Sequence, residues 1–251
     1  MTEKQKLINE ITRELPALDT GYLRLLTDFA EILQREVDVT ADGHGPFTEE
    51  FARHFAGVLL VHHALSEEPF TKDKFEHAMV RVLNESDLDA HLSPRGNPGH
   101  DLTVGAEKWS LKTQADQALK LDALHISKFM EMGKGEWTNE TSLTGLRQRM
   151  FDHVANYDRI FSLRHKIVGE NRYYELVEIP KALLLEAENG ELEMKMDSKQ
   201  NPKPGYCRVY DRDRSQKFQL YFDGGTERKL QIKHLKKALC HVRASWTFKK
   251  D

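Results

Sequence analysis

The sequence predicts an α/β fold in which a central mixed β-sheet is flanked by helices and an antiparallel β-meander is added at the C-terminal end. Three observations predict it. In the first third, apolar residues recur at helical spacing behind short polar capping residues. In the middle, two short alternating segments are joined by a Gly-Ala turn. In the tail, three more are separated by polar turns, one of them Asp-Gly. At 251 residues, with no stretch that reads as a linker, the chain is expected to form a single elaborated domain.

Taken in order, a short helix before Pro16 precedes a second from Gly21 to Val37. There Tyr22, Leu25, Leu26, Phe29, Leu33 and Val37 share helical spacing behind Asp19 or Thr20 as N-cap. Residues 38–47, with two glycines and a proline, read as a loop. Thr48 caps a third helix through about Ala64, with Glu49 and Glu50 where carboxylates suit the helix dipole. In the next helix Phe70 and Phe75 flank the Thr71 cap as a hydrophobic staple, and Phe75, Ala78, Met79, Val82 and Leu83 form a face suited to pack on the sheet. Glu76 lies on the rim of that face. Its bland reading is an exposed helix glutamate.

The stretch from Asn97 to Ala115 then reads as two strands turning at Gly105-Ala106. Alternation sends Trp109, Leu111 and Thr113 to one side of the second strand and Ser110, Lys112 and Gln114 to the other, the side that faces Asp101. Leu124 to Met130 reads as another strand, Gly133 to Trp137 as a loop, residues 143–164 as helical, Tyr173 to Ile179 as a strand, and Lys181 to Ala187 as a helix started by Pro180. After a loop at Lys199 to Tyr206, the segments Cys207 to Tyr210, Lys217 to Phe222 and Lys229 to Lys233 form the meander, with Asp223-Gly224 as its hairpin signal.

Composition narrows the function. A mean hydropathy of −0.63 and no membrane-length apolar run point away from a membrane protein, and the start of the chain does not lead into a signal-peptide core. Two cysteines, Cys207 and Cys240, suit a reducing cytoplasm. Residues 195–251 carry 15 Lys and Arg against 6 Asp and Glu, whereas residues 1–94 carry 9 against 18. A tail so basic suggests a polyanion as partner, nucleic acid above all. The basic hairpin could enter a major groove, where Arg228 or Lys229 could donate to guanine edges, with Lys233, Lys128 and Lys134 as further DNA contacts; the bland alternative is that they touch only phosphates.

For chemistry, no phosphate-binding Walker loop, dinucleotide fingerprint or Gly-x-Ser-x-Gly elbow is present, and His62-His63 cannot share one helix face to hold a metal. What remains is Asp101, one turn before Lys112, with Glu76 upstream. An acid at the start of one strand and a lysine on its neighbour can hold a divalent cation and a water against a phosphate. Pro98-Gly99-His100-Asp101 and Ser110-Leu111-Lys112 resemble the core of the PD-(D/E)xK nucleases. Ser110 departs from that pattern, in which an acidic residue is usual, so the second carboxylate is expected from Glu76, or else from Glu107.

A closer resemblance is carried by Phe75-Glu76-His77-Ala78, Asn97 to Asp101, Leu111-Lys112-Thr113, Met130 to Trp137, Leu176 to Ala187, Lys203 to Tyr206 and Tyr221 to Leu235. These blocks are similar, in the same order, to a family of type II restriction endonucleases, from about His62 onward. The resemblance implies a restriction-endonuclease-like core and a magnesium-dependent homodimer that cuts double-stranded DNA, at the palindrome CCCGGG with blunt ends. It implies Asp101 and Glu76 as Mg2+ ligands and Lys112 as the group that orients water and stabilises developing charge. Ser110 stands beside them, and Gln114 is a candidate positioning group. The division expected is a helical part over residues 1–70, a catalytic core over 71–190 and a basic, β-rich, DNA-contacting part over 191–251. A host would need a methyltransferase to protect its own sites. Two rival readings use the same residues: a structure-specific repair nuclease, and a DNA-binding relative with a decayed site, suggested by Ser110.

Overall fold

A computed structural model of the chain describes residues 1–94, 99–116, 119–133 and 137–249. Its elements run α1 (Glu3–Glu14), α2 (Thr20–Ile32), β1 (Val37–Ala41), α3 (Glu49–Leu65), α4 (Lys72–Glu85), β2 (Ala90–Leu92), β3 (Leu102–Val104), β4 (Glu107–Gln114) and β5 (Ala123–Glu131). They continue through α5 (Glu140–Ala155), β6 (Arg159–Val168), β7 (Asn171–Glu178), α6 (Lys181–Leu185), β8 (Glu191–Met194), β9 (Gly205–Tyr210), β10 (Gln216–Phe222), β11 (Lys229–Lys236) and β12 (His241–Phe248). The fold is mixed α/β with two sheets. The first is seven-stranded, in the order β1-β12-β7-β6-β4-β3-β2, and mixed, because β4 and β6 run parallel while the other neighbours are antiparallel. The second, β5-β11-β10-β9-β8, is antiparallel throughout.

Local chemistry starts the helices as the sequence predicts. The Asp19 carboxylate accepts from the Gly21 and Tyr22 amides, and the Thr48 and Thr71 hydroxyls accept from Phe51 and Lys74. The apolar faces of α3 and α4 then pack with Leu111, Phe161, Leu163, Tyr174, Leu176 and Trp246 on one side of the seven-stranded sheet. Ile160, Val177 and Ile179 point the other way, into a second core shared by α5, α6 and the inward residues of the five-stranded sheet. Both faces of β6 and β7 are therefore buried.

That double burial explains where the sequence misleads. Residues 143–164 do not form one helix: α5 ends at Ala155, and Phe161 lies in β6, between β4 and β7. A strand buried on both faces lacks the alternation of a half-buried one, and with Phe161 falling at the helical spacing of α5, periodicity does not mark where the helix stops. Likewise α2 ends at Ile32, and Val37, expected at the end of that helix, opens β1, which runs on into the segment expected to be a loop. This strand is recruited by β12, with Val37 opposite Phe248, so a partner some two hundred residues away decides its conformation. Among the described residues no helix is long and apolar enough to cross a membrane.

A histidine cluster ties α3 to the sheet and gives stability a pH dependence. His63 donates from Nδ1 to the Ser66 carbonyl at 3.0 Å and accepts at Nε2 from the Tyr174 hydroxyl at 2.9 Å, which itself accepts from the Phe70 amide at 3.1 Å. His165 stacks on His63 with ring centroids 6.3 Å apart. Burial pushes each ring down to about 4, with Arg172 adding to the effect. The folded chain keeps both rings neutral while the unfolded chain protonates them near the ordinary value. Their contribution is therefore whole above about pH 6.5 and is lost as pH falls through 4, about 3 kcal/mol for each ring taken alone. Urea melts between pH 7 and 4 should show that fall, flattened in His165→Gln; a measured His165 pKa near 6.5 would refute it.

Candidate active site

The β3–β4 hairpin is built as its sequence predicts, with Leu102 opposite Trp109 and Val104 opposite Glu107. Asp101 sits just before β3, where its amide donates to the Trp109 carbonyl at 2.8 Å and its carbonyl accepts from Ser93 at 2.9 Å. Gly99, two residues earlier, has φ +125°, and a Cβ there would come within 2.6 Å of Asn156. Only glycine lets the chain cross the end of α5 so closely on its way to Asp101.

The structure brings Asp101, Glu76, Ser110 and Lys112 together. Asp101 Oδ2 accepts from the Leu111 amide at 2.6 Å and from the Ser110 hydroxyl at 3.3 Å. Lys112 Nζ donates to Ser110 Oγ at 3.0 Å, lies 3.9 Å from Asp101 Oδ2 and 6.0 Å from the centre of the Phe129 ring. The Ser110 hydroxyl, fully buried, thus links the acid and the lysine. Glu76 joins through a residue the sequence reading passed over, Lys72, whose Nζ lies 2.9 Å from Glu76 Oε1 and 2.7 Å from Asp101 Oδ1. The available signal was the i, i+4 spacing of Lys72 and Glu76 in the first turns of α4.

Electrostatics separate the two lysines. Burial lowers the pKa of Lys112 from the ordinary lysine value, against the pull of Asp101, and the nearby charge of Lys72 adds to the lowering. Burial works the same way on Lys72, but the hydrogen bonds and charges of Asp101 and Glu76 outweigh it and raise its pKa. Two further polar atoms are buried without a hydrogen-bond partner among the described residues, His153 Nε2 and Tyr157 Oη on and just after α5. Both feel the Asp101 charge, and burial lowers the pKa of the histidine and raises that of the phenol.

The remaining candidates lie elsewhere. Gln114 follows Lys112 on the same face of β4, but its oxygen accepts from the His125 amide and from Arg164 Nε, each at 3.2 Å. Glu107, at the turn end of β4, accepts from Trp109 Nε1 at 2.8 Å and lies 3.8 Å from Arg159. Lys128, on β5, pairs with Glu131 at 2.7 Å and lines a cleft of about 430 Å³ together with Lys72, Lys112 and Phe129. Lys229 pairs with Glu227 at 2.9 Å, and Lys233 Nζ stands 3.9 Å over the Tyr221 ring. Arg228 takes a left-handed conformation, φ 44°, at the start of β11. Lys134 and Pro98 lie outside the described residues. Among the described residues no three His, Cys, Asp or Glu side chains gather as a metal cage, so the acidic set is the pair Asp101 and Glu76.

A buried lysine that lines a cleft and stands beside two convergent carboxylates suits phosphodiester chemistry, and comparison with known proteins gives the same class. Residues 42–248 match the SmaI family model, described as type II site-specific deoxyribonuclease. The chain is 48% identical over 204 residues to the type II restriction enzyme SmaI of Serratia marcescens, covering 80% of this chain and 81% of that one. No solved structure matches it. The chain belongs to the SmaI family of type II site-specific deoxyribonucleases.

Proposed function

We propose that this protein is a magnesium-dependent, homodimeric restriction endonuclease with a PD-(D/E)xK site on a restriction-endonuclease-like core, cutting double-stranded DNA at CCCGGG to leave blunt ends. The observation that carries the mechanism is the single cation, Lys72 Nζ, within 3 Å of both Asp101 and Glu76, with Lys112 on the far side of Asp101. Two carboxylates close enough to share one ammonium suit one small divalent ion, and magnesium is ordinarily held by one or two carboxylates with water filling the rest. Asp101 and Glu76 would hold it. When bound, magnesium supplies positive charge against the scissile phosphate and makes water acidic enough to attack.

The chain's own residues do the rest. The Leu111 amide and Ser110 hydroxyl fix the Asp101 carboxylate. Lys112, its ammonium steered by Ser110, orients the attacking water and stabilises charge developing on the phosphate. Ser110 thereby serves the lysine rather than the metal. A palindrome cut in both strands calls for two equivalent sites about a two-fold axis, which is the support for a homodimer. The protein would work in the cytoplasm, beside a methyltransferase that protects host sites.

The test is unmethylated plasmid bearing one CCCGGG site, incubated with the protein in magnesium and in EDTA, with new ends sequenced. One magnesium-dependent cut at the centre of the site is expected. Cutting at another fixed sequence would discard the specificity and keep the class; DNA binding with no cutting would mark a decayed site.

A further inference from the structure

The five-stranded sheet turns one face into the core and carries polar and aromatic side chains on the other, where Gln219 and Gln231 are themselves mostly covered by their neighbours. Leu230, Ile232, Phe218, Leu220, Cys207 and Val209 all enter the core shared with α5 and α6. Alternation therefore sends the intervening residues of β11, β10 and β9 to the opposite face. The register sets them in two rows. Lys233 stands opposite Gln219, and Gln219 opposite Arg208; Gln231 stands opposite Tyr221, and Tyr221 opposite Tyr206. Neighbouring strands are about 4.8 Å apart, so the first row spreads three hydrogen-bonding side chains over about 10 Å, the length of three base pairs stacked at about 3.4 Å.

Each cation in that row is braced by an aromatic ring from the next. Lys233 Nζ lies 3.9 Å from the centre of the Tyr221 ring, and the Arg208 guanidinium lies 4.8 Å from that of Tyr206. Arg208 also pairs with Glu193. Other lysines of the tail are spent on the protein: Lys229 pairs with Glu227, Lys236 with Asp211 and Lys237 with Glu175. Lys233 has no carboxylate within ion-pair distance among the described residues, although it is half-buried. β5 links this face to the cleft that Lys72 and Lys112 line. His125 hydrogen-bonds Gln231 at 3.3 Å and shares a hollow of about 290 Å³ with Lys233, while Ser127 to Met130 line the cleft beside Lys112.

We propose that this face of the five-stranded sheet, with Lys233, Gln219 and Arg208 as one reading row, is the surface that recognises base edges in the DNA substrate. The inference rests on the nuclease reading above and extends it from the Asp223-Gly224 hairpin to the sheet behind it. The row offers donors to guanine O6 and N7, so its ligand is a run of G·C pairs presented in the major groove. The bracing rings hold both cations in place at little entropic cost, and positive charge at the two ends of the row suits the duplex.

Lys233→Met, Arg208→Met and the double variant, as full chains, would each be mixed with a random-sequence duplex library in magnesium-free buffer, and the bound DNA sequenced. Wild type is expected to enrich one sequence. Each single variant should enrich it at least tenfold less, with G·C positions relaxed to other pairs, while its melting temperature and its affinity for a scrambled duplex stay within error and twofold of wild type. The same enriched sequence at the same strength in the double variant would overturn the proposal. So would uniform weakening across all sequences with a smaller salt dependence, the mark of a phosphate contact. A wild-type sequence other than CCCGGG would sink that specificity alone, because relaxation at whatever G·C pairs it contains still tests the row.

Discussion

Asp101→Asn is expected to lower cleavage at least about a thousandfold without unfolding the protein. The asparagine oxygen can still accept from the Leu111 amide, so the hairpin keeps its anchor, but half the charge that would hold magnesium is gone. Lys112→Met should fall by about a hundred- to a thousandfold, because its methylenes pack as before while the ammonium proposed to stabilise the phosphate is lost. Lys72→Met separates a metal role from a catalytic one. In the absence of metal Lys72 neutralises Asp101 and Glu76, so removing it leaves two carboxylates with less compensation and no ammonium competing for them. The variant should melt lower than wild type in EDTA, and magnesium should raise its melting temperature further than it raises that of wild type. Single-turnover cleavage and thermal melts in parallel would read both effects. Asp101→Asn within tenfold of wild type would remove Asp101 from the mechanism, and equal magnesium shifts in Lys72→Met and wild type would remove Lys72 as a competitor.

What the sequence revealed of this site was what local patterning governs. Alternation along β4 put Ser110 and Lys112 on one face, and the apolar stripe of α4 fixed where Glu76 would lie; both follow from the period of a single element. Lys72 was legible only in its i, i+4 spacing to Glu76, not in its reach to Asp101. On a helix wheel it is one more exposed lysine, and only the packing of α4 against the hairpin turns its ammonium toward Asp101. The same divide holds for the fold. The β9–β11 meander is announced by its turns, whereas β1 and β6 take strand conformation with partners distant in sequence, β12 in one case and β4 in the other. Among the tail lysines, charge alone cannot say that Lys237 turns inward to Glu175 while Lys233 meets no carboxylate among the described residues. Gln114 shows the limit most clearly: its side of the strand was right, and its neighbours, Arg164 and His125, come from elements that pattern did not place beside it.

Glu175→Ala is expected to cost about 3–5 kcal/mol of folding stability, because it would leave a buried charge unpaired. Glu175 and Arg164 face each other on adjacent strands of the seven-stranded sheet, almost wholly buried, and form a direct ion pair. The second Glu175 oxygen accepts from Tyr173 at 3.0 Å and from Lys237 at 2.9 Å, so one carboxylate answers two cations and a phenol. Arg164 spends its other donors on the Gln114 side-chain oxygen and on the carbonyls of Lys120, Leu121 and Ala123. Those carbonyls lie at the end of the connection from β4, which carries Lys112, and on the first residue of β5, which walls the cleft. The pair therefore sets the path between the acid–lysine hairpin and the five-stranded sheet, and its loss should loosen that path as well as weaken the fold. Urea denaturation should show the midpoint of Glu175→Ala far below wild type. Amide exchange at residues 119–123 should rise even at urea concentrations where the variant stays folded. Glu175→Gln, which keeps an acceptor for Arg164 but not the charge, should lie between the two. A loss below about 1 kcal/mol in Glu175→Ala would mean that the charges are solvated in solution and that something else fixes the connection.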